Sequence, residues 1–383
     1  MKTLLRCLAI AASSTSTLAQ GPLSPPGPPA PNMKTLQQVE PRIDLSTVAG
    51  DSANFIIVGT SGSYYLSANL TGTSGKNGIL INADSVSIDL NGFAVICPAT
   101  GVNTLSGIID LGGHQNISVS NGTVSGWGAS NVSLTSNYVE LRRLRLSGSP
   151  GTGAFASGDG FNGRVCTHAL VVDCLASGNA GDGFAAGANA TLTGCDASNN
   201  SLSGYSGGNL CATNCSADSN QSAGWFVVSG GRLINCTATG VRARGTQGEG
   251  FLVGDGAVLI GCQALGNTFT GFYLNGSGCL VSSCAANNNA GDGFFFTSNN
   301  LLTNNVATGN GLHGFVGSGS NNRIDGNHAV ANTNTGFLSA SATADFTIRN
   351  TAYANATNYN PSSGVYLGPL GLPSTATSPW ANF

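Results

Sequence analysis

Charge is rare in this chain, so the places where charges gather are informative. Among 383 residues there are 14 Lys and Arg and 17 Asp and Glu, for a net charge of −3. Five of these residues form one group: Arg142, Arg143, Arg145, Asp173 and Asp196. Two carboxylates can hold Ca²⁺ against an acidic sugar. An arginine can grip a uronate carboxylate with two parallel hydrogen bonds. The same residues can equally form surface ion pairs, Arg143 with Asp173 first, worth about 0–1 kcal/mol. A second group, Asp159 and Asp182, lies in two GDGF segments and can share a cation, although Asp before Gly is also ordinary turn chemistry.

The elements that position these residues are repeats. A glycine–aromatic dipeptide recurs with its ring at Phe161, Phe184, Tyr205, Trp225, Phe251, Phe272, Phe294, Phe315 and Phe337, spaced by 23, 21, 20, 26, 21, 22, 21 and 22 residues. Ten residues before most of these rings stands a marker: Cys174, Cys195, Cys215, Cys262 and Cys284, then Asn305 and Asn327, with Cys236 joining the series. Alanine follows two residues after each marker, from Ala176 to Ala352. Asparagine follows five after, from Asn179 to Asn355, with Val241 as the exception. Apolar residues sit three before the marker, among them Val171, Leu192 and Leu233.

Locally the apolar positions alternate with a period of two, which is the strand signal. Segments of three to five residues between Gly, Asn and Ser are too short for helices. A coil of about 22 residues fits three short strands and three turns, stacked at about 4.8 Å. The expected fold is an all-β, single-stranded right-handed parallel β-helix of roughly 12 coils, about 55–60 Å long. Residues 33–78 are expected to form the N-terminal cap and first strands, 79–355 the β-helix, and 356–383 a folded-back C-terminal cap. Six cysteines fall in the inward column, where buried thiols act as small hydrophobes. Any disulfide is expected among Cys97, Cys166, Cys211 and Cys279 instead.

The Asn column, the GDGF turns and the coil length resemble the pectate-lyase-like right-handed β-helix superfamily. Within it, APNMKTLQQVEPR (Ala30–Arg42), GSYYLSANLTG (Gly62–Gly72), DLNGF (Asp89–Phe93) and SPWANF (Ser378–Phe383) resemble a group of secreted bacterial β-helix repeat proteins without an established activity. The resemblance implies sites on the outer face of one strand column. In lyases of this fold an Arg or Lys also takes the proton alpha to the carboxyl group. The chain departs from known enzymes of the superfamily: it has no pectate-lyase arginine motif, no polygalacturonase aspartate set with GHG and no alginate-epimerase DPHE.

Two further features interrupt the regularity. Residues 241–249 lengthen one coil where the Asn column breaks, and Arg242, Arg244 and Glu249 there can reach a ligand or simply decorate a tolerated insertion. If the rings face inward, the next residues, among them Phe226, Leu252, Tyr273 and Phe295, face outward as an apolar stripe. Such a stripe is a surface for sugar stacking or a side-on protein partner, or is covered by the chain's own tail.

The remaining bounds are broad. Lys2, Arg6 and Leu4 to Ala12 read as a signal peptide over 1–19, and six prolines in 21–32 make 20–32 a semi-rigid linker. A secreted or cell-surface protein, bacterial by the resemblance, is expected. No basic surface is available for nucleic acid, and no apolar run reaches the ~18 residues of a membrane-spanning helix. A monomer that binds polysaccharide without cutting it fits best, with a lyase or glycoside hydrolase on acidic extracellular polysaccharide as the alternative.

Overall fold

Each regular coil turns three corners, and each corner is one residue in the left-handed backbone region. Tyr138, His168, Asn189 and Asn209 form the first corner on successive coils, with φ of 49–60°. Asn121, Arg143, Asp173, Gly194, Asn214 and Asn235 form the second, with φ of 49–63°. Gly178, Asn199, Ser219 and Gly240 form the third, with φ of 54–62°. That region favours Gly and Asn and penalises side chains branched at Cβ. Repeated Asn and Gly at these places are therefore a backbone requirement.

In this computed structural model the structure describes residues 41–383 except 74, 98–104, 153–156, 244, 246 and 341–342. The expected signal peptide, the Pro-rich linker and the start of the N-terminal cap lie outside the described residues. Between the first and second corners runs a leading ladder of strands, such as Leu170–Val172 and Thr191–Thr193. Between the second and third runs a trailing ladder, such as Leu175–Ser177 and Asp196–Ser198. The long strands Gln115–Ser125 and Asn137–Ser147 pass through both and join them into one 26-stranded sheet. The aromatic strands form a separate 14-stranded sheet. All the strand pairings are parallel, as in Phe161↔Phe184 and Phe184↔Tyr205.

The sequence columns agree because they touch. A Cβ on Gly183, the glycine before Phe184, would lie 2.9 Å from the Ala197 Cβ, 2.9 Å from the Asn200 Nδ2 and 2.7 Å from a backbone oxygen. Ala, Asn and Gly therefore specify one tight contact between adjacent coils. The rings stack beside it: Phe251 on Phe272 and Phe272 on Phe294, each at 4.7 Å and 4°. This column ends one coil later than the sequence suggested, with Tyr359 on Phe337 at 5.2 Å.

The asparagines form an internal hydrogen-bonded ladder. Asn289 accepts from the Asn267 backbone N–H (3.1 Å) and Nδ2 (2.8 Å) and donates to the Ala264 carbonyl at 3.2 Å and to Asn310 at 3.0 Å. At the break, Val241 still donates its backbone N–H to Asn267 but returns no side-chain oxygen to Asn220.

The cysteine column has the same logic. Asn305 donates to the Val281 carbonyl and accepts from the Cys284 N–H. One coil earlier, the Cys284 thiol donates to the Leu259 carbonyl at 3.6 Å and accepts from the Cys262 N–H at 3.4 Å. The thiols thus occupy hydrogen-bonding slots that asparagine takes over in Asn305, Asn327, Asn350 and Asn382. No disulfide joins the described cysteines, including Cys97, Cys166, Cys211 and Cys279, where any bridge was expected. Burial pushes the Cys166 thiol up to about 12, which keeps it protonated and unreactive. We expect Cys284→Asn to extend the Asn ladder by one coil and shift Tm by only a few degrees. Cys284→Leu, apolar but without donor or acceptor, should lower Tm more, because a buried N–H loses its partner.

The stack is longer than the sequence suggested, with 14 aromatic-face strands in place of 12 coils. Asn54–Val58 and Asn77–Ile81 already pair as coil strands, and so does Thr357–Asn360 at the other end. These ends lack the glycine–aromatic dipeptide that marks a coil in the sequence. The tail closes the last coil: Tyr366–Leu367 pairs with Phe346 and Thr347, and Asn382 ends the asparagine column by accepting from Asn350. The Phe383 carbonyl accepts from the Ala352 N–H and the Tyr359 hydroxyl. The tail thus docks on the end of the rod, where it covers an open strand edge.

Candidate functional site

The five-residue charged group lies around the second corner and on the two ladders that meet there. Arg143 and Asp173 are corner residues on neighbouring coils, with φ of 49° and 53°. The Arg143 Nε donates to Asn121 at 2.6 Å. Arg142 pairs with Glu140 of its own strand. Arg145 and Asp196 share a trailing-ladder column, separated by Leu175 on the coil between. That separation is two coils, about 10 Å. Asp196 accepts from the Ser216 hydroxyl at 3.0 Å through one oxygen, and its other oxygen is buried without a partner. The four candidate catalytic residues therefore share one side of the rod but occupy two columns and three coils. At the first corner of the Arg143 and Asp173 coils, Tyr138 stacks on His168 at 5.2 Å.

Asp159 and Asp182 are brought together, with an arginine between them. The Arg164 Nη2 lies 3.3 Å from Asp159 and 2.8 Å from Asp182. The Asp182 carboxylate also accepts from the Ser206 hydroxyl at 2.7 Å. Burial pushes the Asp159 carboxyl above its usual range; Arg164 opposes this and Asp182 adds to it. The place where a metal ion was weighed holds a guanidinium. Among the described residues, no three His, Cys, Asp or Glu side chains are grouped to hold a metal ion.

In the lengthened coil, Arg242 is exposed, while Glu249 is buried and accepts from the Gly248 N–H at 3.0 Å. These two do not face a common ligand site, and Arg244 lies outside the described residues. The apolar stripe is in register as expected: Phe226↔Leu252, Leu252↔Tyr273 and Tyr273↔Phe295 are strand neighbours. Phe226 is 39 % exposed, and Tyr273 meets Phe295 edge-on at 5.1 Å.

A further cluster, absent from the sequence reading, lies at the far end of the leading ladder. Arg323 and Asp325 share one strand, and Arg349 is the second-corner residue one coil beyond Gly326. The Arg323 Nε and Nη2 donate to Asp325 at 3.1 and 2.7 Å, and the Arg349 Nε donates to it at 2.6 Å. Burial works to raise the Asp325 carboxyl, yet its bonds to the two guanidinium groups hold it below the usual range. These residues line a groove of about 590 Å³ with Leu301, Thr303 and Asn304. Phe346, the strand neighbour of Arg323, stacks on Tyr366 at 4.8 Å, and Arg349 lies 5.7 Å from the centre of the Trp380 ring. The sequence signal was the Arg–x–Asp spacing, which puts both side chains on one strand face.

A family model described as the right handed beta helix region matches residues 249–376. No curated protein matches the chain in sequence. Among solved structures, a mutant of the periplasmic alginate epimerase AlgG is 13 % identical, with a TM-score of 0.49 over 91 % of this chain and 81 % of that one. The A-module of Azotobacter vinelandii mannuronan C-5 epimerase AlgE4 is 14 % identical, with a TM-score of 0.49 over 80 % and 89 %. Pectate lyase Pel9A is 17 % identical, with a TM-score of 0.38 over 77 % and 69 %. These distant likenesses assign no activity. No helix among the described residues is long and apolar enough to cross a membrane. With its parallel ladders, ring stack and inner asparagines, the chain is a right-handed parallel β-helix.

Proposed function

We propose that this is a secreted or cell-surface rod that binds acidic polysaccharide along its side without cutting it. The observation that carries this reading is the spread of Arg143, Arg145, Asp173 and Asp196 over two columns and three coils. A lyase needs its base and its charge-stabilising groups within hydrogen-bond reach of one reacting carbon. A binding surface needs only charges displayed along a polymer. Arg143 and Asp173 also hold left-handed backbone where other coils use mainly Gly, Asn or Ser. Such strain costs on the order of 1 kcal/mol and persists most often where function uses the side chain.

The test follows binding and unsaturated-product absorbance together on pectate-type polymers, with and without Ca²⁺. Saturable binding with flat absorbance is the expected result. We expect Arg143→Ala with Arg145→Ala to weaken binding at least about tenfold, since even one charge-assisted contact is worth roughly 1.5 kcal/mol. Product that accumulates in the wild type and vanishes in this variant would establish the lyase alternative.

A further inference from the structure

The tail that closes the rod also completes a surface. Tyr366 and Trp380 come from it, and with Phe346 they are 60, 50 and 47 % exposed. Most other large rings of the repeat are buried in the stack. Next to these three are two half-exposed guanidinium groups that share one buried carboxylate, Asp325. Asp325 fixes both arginines but cannot use all ten of their N–H donors, so donors remain for a ligand. Ring faces accept the apolar C–H side of a sugar, and the guanidinium groups suit a carboxylate or sulfate.

Resting on the carbohydrate-binding reading above, we infer that Arg323, Arg349, Phe346, Tyr366 and Trp380 form a second site, which takes an anionic sugar unit of the same polysaccharide. One polysaccharide chain reaches both sites along the leading face. Arg143 and Arg349 occupy the same corner column nine coils apart, about 43 Å. Between them the adjacent column presents Val172, Thr193, Thr213, Ile234, Ile260 and Ser282, all short side chains. An extended polymer can lie flat across such a strip. A tethered second contact then strengthens binding without any change at the first site.

Oligogalacturonates of three and of about twelve units are titrated calorimetrically, beside a neutral cello-oligosaccharide and polyglutamate. The long acidic oligomer is expected to bind at least about tenfold tighter than the trimer. The variant Arg323→Gln/Asp325→Asn/Arg349→Gln removes the charges without leaving a buried carboxylate unpaired. It should bring the long oligomer to about the trimer's affinity while Tm moves by only a few degrees. Tyr366→Ala with Trp380→Ala should do the same. Undiminished long-oligomer binding in both variants overturns the second site and leaves the carbohydrate reading standing. No binding of any oligosaccharide to the wild type overturns both. Equal, variant-sensitive binding of polyglutamate assigns the site to acidic polypeptide and overturns the proposal.

Discussion

Asn289→Ala is expected to destabilise the rod by about 3–5 kcal/mol, from several buried polar groups at roughly 1–3 kcal/mol each. The substitution removes the acceptor of two Asn267 donors and the donors to Ala264 and Asn310. Asn289 is only 1 % exposed, so water cannot easily replace these bonds. Denaturant unfolding of the two proteins gives the difference, with hydrogen exchange locating it around this coil. Val241→Asn is the converse. It restores an oxygen toward the Asn220 N–H and should raise stability, provided the neighbouring coil yields to the new shape. A cost below about 1 kcal/mol for Asn289→Ala would mean that ring stacking, and not the ladder, holds the coils in register.

Arg164→Ala carries the second large effect, about 2–3 kcal/mol at neutral pH. Removing one partner of a buried ion pair costs roughly 3–5 kcal/mol, reduced here because the Arg164 side chain is 46 % exposed. The loss should depend on pH. The Asp159 carboxyl, already raised by burial, rises further once Arg164 is gone. Folded Asp159 then binds a proton more tightly than unfolded Asp159. The variant therefore gains stability as pH falls through the raised folded value toward the ordinary carboxylate range, and the full loss appears above it. Urea midpoints of wild type and variant across that range read the effect. Asp159→Asn added to Arg164→Ala should abolish the pH dependence, and a dependence that survives would place the titrating group elsewhere.

Much of the fold was legible because a β-helix writes each contact many times. Ala197, Asn200 and Gly183 meet at one point between coils, so any coil that keeps one tends to keep the others. The corners were less legible. Gly194, Asn214 and Asn235 carry no charge or ring to mark them in the sequence, yet a left-handed φ selects them. Against that column the departures Arg143, Asp173 and Arg349 become informative. Of the candidate site, the Arg and Asp group and its span of three coils were legible, while the left-handed corner that holds Arg143 and Asp173 was not. The C-terminal cluster was missed even though Asn327, Ala352 and Asn355 keep their columns on its coils. Arg349 therefore had a register, but the rings beside it are not repeat positions. Tyr366 and Trp380 reach the cluster through a fold-back of the tail, which no repeat encodes.

Side chains on the leading face and on the aromatic face differ in what they should report when polysaccharide binds. Hydroxyl-radical footprinting, read residue by residue by mass spectrometry, separates them in one measurement with and without a long acidic oligosaccharide. The account predicts reduced oxidation at Tyr138, His168, Phe346, Tyr366 and Trp380, and no change at Phe226, Tyr273 and Phe295. Protection confined to Phe226, Tyr273 and Phe295 would contradict it and move the binding surface to the apolar stripe.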